Sequence, residues 1–62
     1  MTKVQALHTL LTMKLFGGNF EQHLAAAALT ADPNNRQRLL AAFPEIEDKY
    51  GPASRWYSEG LG

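Results

Sequence analysis

His8 and His23 are the first residues to weigh for chemistry, because imidazole is a metal ligand and a base near neutral pH. They stand fifteen positions apart, and the chain has no Cys to join them. A structural zinc site needs about four ligands around one point, so both read as packing or surface residues. Glu45, Glu47 and Asp48, beside Lys49, form the densest run of carboxylates. Carboxylates do acid/base work when a pocket separates their proton affinities. Directly after Pro44 these three read instead as helix-start residues facing solvent, where negative charge is favourable. Ser54 and Ser58 belong to no nucleophile motif. Gly17-Gly18-Asn19 precedes a helical pattern whose first amides could hold an anion, but it lacks both the Lys-Ser/Thr of a phosphate loop and the dinucleotide glycine spacing. The expectation is a non-enzymatic chain with no catalytic, metal or cofactor-binding residue and no small-molecule ligand.

Binding chemistry has better candidates. Arg55, Trp56 and Tyr57 are consecutive, and aromatic residues and Arg are frequent anchors of protein interfaces. The competing expectation is that Trp56 folds back over the central helices. Leu10 and Met13 fall toward the edge of the apolar stripe of the first predicted helix and are the second interface candidate. Asn35, Arg36 and Arg38 lie on a segment that could act as the second helix of a helix-turn-helix, which makes DNA the alternative partner. Charge disfavours it: six Lys plus Arg balance six Asp plus Glu, and nucleic-acid binding draws mainly on excess positive charge.

The elements that must position these residues are helical. In residues 3 to 16, Val4, Leu7, Leu11 and Leu15 recur at spacings of 3, 4 and 4, the amphipathic helical period. They are the expected core side, with Leu10 and the stem of Lys14 beside them. Thr2 can cap the start, and Gly17-Gly18 can end the helix in a left-handed or flexible conformation. A second helix is expected over about 20 to 31, capped by Asn19 with Gln22 three residues on. Its core side is Phe20, Leu24, Ala27 and Ala28, extended by Ala31, while Leu29 either widens that face or reaches a partner. Asp32-Pro33 starts a third helix, over about 33 to 43, with Asn34 competing for the cap. Arg36, Leu39, Leu40 and Phe43 supply its helical spacing, and Arg38 points outward.

Pro44 then disfavours an unbroken helix through Phe43. Ile46 and Tyr50, four apart, share a side of a short fourth element. Gly51-Pro52 precedes one last turn or two, and Gly60 and Gly62 mark a loose end. The expected fold is all-α: one domain over residues 1–62, a compact bundle of three main helices with one or two short C-terminal helical turns.

With 62 residues and no Cys, the chain is near the lower limit for folding without a supplement. This favours a protein partner or self-association. The absence of Cys fits a reducing compartment. Polar residues interrupt the N-terminal segment where a secretory signal would need an apolar core, and no run of eighteen apolar residues is present to span a bilayer. The expected location is the cytoplasm.

From about Gly18 to Tyr50, the pattern G-N-F-x-x-x-L-A-x-A-x-x-x-A-D-P-x-N-R-x-R-L-L-A-A-F-P-E resembles short proteins encoded by bacteriophages and integrated mobile elements. The resemblance covers about half the chain and leaves out the N-terminal helix and the Trp-Tyr tail. It implies a small modulator of host or phage processes in the host cytoplasm and transfers no site residue. The expected function is a protein-protein interaction regulator or inhibitor acting on a host protein by steric occlusion. A compact DNA-binding regulator and a homo-oligomeric structural component are the alternatives.

Overall fold

Thr2 closes the first turn of the chain: its hydroxyl accepts from the Gln5 amide at 3.1 Å, and the Gln5 side chain accepts from the Thr2 amide at 2.9 Å. Two first-turn donors are thereby satisfied reciprocally. In a computed structural model, which describes residues 1–61 with side chains through Glu59, this box opens α1 (Lys3–Phe16). It is followed by α2 (Asn19–Thr30), α3 (Pro33–Ala42), α4 (Glu45–Tyr50) and α5 (Arg55–Leu61). The fold is all-α, and each of the three main helices agrees with its expected span to within a residue. α5 continues through Gly60, where a loose end was expected, and Gly62 lies outside the described residues.

Two more of the expected starts form. The Asp32 side chain accepts from the Asn35 amide at 3.2 Å with Pro33 in the first turn, and α4 begins directly after Pro44. The Asn19 cap does not form. Gly17 and Gly18 are both extended, with φ near −80° and −75°, so α2 starts one residue earlier, with Gly18 at the cap and no side-chain cap bond. Asn19 is then inside the first turn, and the Gln22 side chain donates to the Gly17 carbonyl at 3.1 Å instead of closing a reciprocal box. Neither glycine needs a left-handed conformation. Gly17 is required for space: a Cβ there would lie 2.5 Å from Glu21 Cβ and 2.6 Å from the Met13 carbonyl oxygen.

α1 is the hub, packing chiefly on α2 and also on α5 and α4. The core consists of Leu10 and Met13 from α1, Ala25 and Ala28 from α2, and Ile46 and Tyr50 from α4. Leu24, Leu29, Leu39, Leu40, Phe43 and Trp56 pack around it. Ile46 and Tyr50 share the buried side of α4 as their spacing predicts, and Leu29 widens the core. Phe20 and Ala27, expected in the core, are exposed.

The largest departure concerns α1. Leu10 and Met13, taken from the sequence as edge residues, are fully buried, whereas Val4 is 60%, Leu11 45% and Leu15 63% exposed. At about 100° per residue, the exposed three point roughly 160° away from the buried set. α1 is apolar on two faces, and the longer stripe faces outward. The inward face also carries Thr9 and Thr12, whose hydroxyls donate to the carbonyls of Gln5 and His8, each at 2.7 Å. Burying these hydroxyls therefore leaves no donor unpaired. Short side chains on this face, meeting Ala25 and Ala28 on α2, suit close helix packing. The protein exposes 4019 Å², against about 4,000 Å² expected for a folded monomer of this mass. The outer stripe is thus exposed on a fully compacted chain.

Candidate protein-interaction surface

The Arg55-Trp56-Tyr57 trio is divided by the fold. Trp56 is half-buried, its ring 4.9 Å from that of Phe16 at the end of α1. The exposed Arg55 lays its guanidinium over the same indole at 4.6 Å, a cation-π contact. Tyr57 meets the His8 ring edge-on at 6.1 Å, with its hydroxyl 3.5 Å from His8 Nδ1. Trp56 and Tyr57 thus dock α5 onto α1, and Arg55 covers the joint. Leu10 and Met13 are corrected more completely: both are sealed in the core and offer no surface to a partner.

The Asn35, Arg36 and Arg38 trio does not form one basic surface. Arg36 reaches back to the C-terminal end of α2, donating from Nε to the Ala28 carbonyl at 3.1 Å and from Nη2 to the Ala31 carbonyl at 2.8 Å. The Ala28 carbonyl also accepts from the Ala31 cap amide at 3.2 Å, so Arg36 adds a second donor there and supplies one to the Ala31 carbonyl, and a cation at this end complements the helix dipole. Arg36 is therefore a clasp between α2 and α3. Arg38, exposed as expected, donates to the Asn35 side chain at 3.3 Å. Arg36→Met, which keeps an apolar stem and removes the guanidinium, is expected to lower stability by about 1–3 kcal/mol. Urea unfolding measures this, and an unchanged midpoint would remove the clasp.

The remaining chemical candidates stay dispersed. His23 Nδ1 lies 2.7 Å from the Asn19 carbonyl oxygen one turn back, while His8 faces Tyr57. Among the described residues no three His, Asp or Glu side chains converge on a metal-sized site. Glu45, Glu47 and Asp48 are exposed in the first turn of α4. At Gly18, a Cβ would meet Glu21 Oε1 at 3.1 Å, so a carboxylate already stands beside the start of α2.

Among the described residues, concavities lie between helices at two places that bear on binding. A cleft of about 480 Å³ runs between the start of α1, α3 and α4, with Ala6, Leu40 and Pro44 on its floor and Lys3, Arg36 and Glu47 among its polar groups. A dimple of about 110 Å³ sits where Phe20 and Phe43 meet at 6.2 Å.

The outer face of α1 carries a stripe of apolar residues. Val4, Leu7, Leu11 and Leu15 run along it, Leu7 half-buried and the others exposed. Lys3 and Lys14, both exposed, fall on the same edge of the stripe, since eleven residues return almost to the same helical direction. Sequence periodicity found these four apolar residues but assigned them to the core. The available signal was that Ala6, Leu10 and Met13, spaced 4 and 3, form a competing stripe on the same helix.

No protein-family model matches the chain, and no curated protein or solved structure shows significant similarity to it. Among the described residues no helix is long and apolar enough to cross a membrane.

Proposed function

We propose that this chain is a small non-enzymatic interaction module, a regulator or inhibitor that covers a surface of a protein partner with the outer face of α1. The supporting observation is the run of Val4, Leu11 and Leu15, all about half-exposed or more, on a helix whose opposite side already fills the core. Contiguous apolar surface of this kind is a feature of interaction sites. The resemblance of Gly18–Tyr50 to phage and mobile-element proteins supports a host protein as the target and the host cytoplasm as the place of action. A second copy of the chain is the competing occupant of the same stripe. DNA binding loses support because Arg36 is engaged by α2 carbonyls.

The test pairs the wild-type chain with a Leu11→Asp/Leu15→Asp variant. Exposed positions tolerate substitution within about 0.5 kcal/mol each, so the variant should remain folded in circular dichroism, its melting temperature lowered by no more than about 4–8 °C. A partner captured from bacterial extract, then purified and reconstituted, should bind the variant at least about tenfold more weakly, since Leu11 and Leu15 have 45% and 63% of their surface left to bury and each lost contact removes roughly 1–2 kcal/mol. Unchanged affinity for a reconstituted partner would reject the α1 face.

A further inference from the structure

We infer that the occupant of the α1 face is an amphipathic helix of another protein whose apolar stripe is bordered on one edge by carboxylates. This rests on the interaction role proposed above and specifies its partner. The anchors Val4, Leu7, Leu11 and Leu15 sit at offsets of 0, 3, 7 and 11, the spacing by which one helix packs along another or into an apolar groove. α1 has 14 residues and so presents about 21 Å of length, room for three turns of a partner helix.

Charge selects among possible occupants. Within the first twenty residues Lys3 and Lys14 are the only residues among Lys, Arg, Asp and Glu, and the first carboxylate of the chain is Glu21. The two ammonium groups border one edge of the stripe, their Cα atoms separated by about 16 Å along the helix axis. A partner helix carrying Asp or Glu at matching separation would pair with both while its apolar stripe covers the leucines. Pairing α1 with α1 of a second copy brings lysines and no carboxylate of α1 to that edge, whichever way the helices run. A standard interface buries about 800 Å² per partner, a fifth of the 4019 Å² that this chain exposes. One stripe of four aliphatic side chains falls short of that for any occupant, so binding must also draw on charge pairing at the edge, which an acidic helix supplies and a second α1 does not. An anionic membrane would also attract lysines, but two are fewer than the clusters of four to eight that mark such surfaces.

The experiment uses the full chain and three synthetic amphipathic helical peptides with one leucine stripe, bordered by Glu, by Gln or by Lys. Fluorescence anisotropy is expected to show the Glu peptide binding at least about tenfold tighter than the Lys peptide. The difference should shrink in 1 M salt, where screening acts over about 3 Å. Lys3→Glu/Lys14→Glu should reverse the preference, and Leu11→Asp/Leu15→Asp should abolish binding, with circular dichroism verifying that each variant is folded. Equal binding of all three peptides, lost in the leucine variant, would overturn the acidic-helix inference and leave the apolar docking face standing. Binding unaffected by the leucine variant, or no binding by any peptide, would overturn the inference. In the no-binding case, a dimer in sedimentation that the leucine variant dissociates would give the face to a second copy. Flotation only with phosphatidylglycerol vesicles would give it to a membrane. With neither, the α1 face itself would fail.

Discussion

Leu10→Ala is expected to cost about 2–5 kcal/mol, the range for truncating a fully buried leucine, whereas Leu15→Ala, five residues along the same helix, should change stability by less than about 0.5 kcal/mol. Leu10 is 0% and Leu15 63% exposed, so identical chemistry is removed from opposite faces of α1. A domain of this length has roughly 3–9 kcal/mol of stability in total. Leu10→Ala should therefore remove a large share of the stability and lower the urea midpoint well below that of the wild type, while Leu15→Ala should unfold with the wild type. Urea denaturation followed by circular dichroism measures both. If Leu15→Ala proved the costly change, α1 would be rotated and the proposed interaction face would be its core.

The joint between α1 and α2 supplies the second large effect. Gly17→Ala should destabilise by about 1–3 kcal/mol, because the new methyl overpacks a closed site. It would lie 2.5 Å from Glu21 Cβ, 2.6 Å from the Met13 carbonyl oxygen and 3.3 Å from the Tyr50 hydroxyl, and the carbonyl belongs to the backbone of α1. Gly18→Ala meets only the mobile end of the Glu21 side chain and should stay within about 0.5 kcal/mol of wild type. Thermal unfolding of the two single variants makes the comparison directly. Equal melting temperatures would mean that α1 and α2 separate more easily at Gly17 than their packing implies.

These two predictions separate residues that look alike in the sequence. Leu10 and Leu15 are both leucines on one amphipathic helix, and Gly17 and Gly18 are neighbours in one turn. For the leucines the difference comes from what other helices place beside them, and for the glycines from how the adjoining ends of α1 and α2 close on Gly17. The candidate surface behaves in the same way: its four apolar residues and both lysines can be picked out from spacing, but their direction cannot. Arg36 likewise reads as an exposed or edge cation until the end of α2 is brought within reach of its guanidinium.

What the sequence determined by itself was local. Thr2, Asp32-Pro33 and Pro44 mark helix starts through hydrogen bonds and steric limits spanning three or four residues, and Ile46 and Tyr50 share a side because a helix turns every 3.6 residues. The Asn19 cap failed even at this range, because the extended Gly17-Gly18 backbone let the helix begin one residue sooner. Only the tertiary structure decided which of the two apolar faces of α1 became core. Periodicity measures spacing without sign, so a helix that is apolar on both sides is oriented by its neighbours. Here Ala25 and Ala28 of α2, with Ile46 and Tyr50 of α4, share the core with Leu10 and Met13, while Thr9 and Thr12 satisfy their hydroxyls within α1. That choice turned Val4, Leu11 and Leu15 outward.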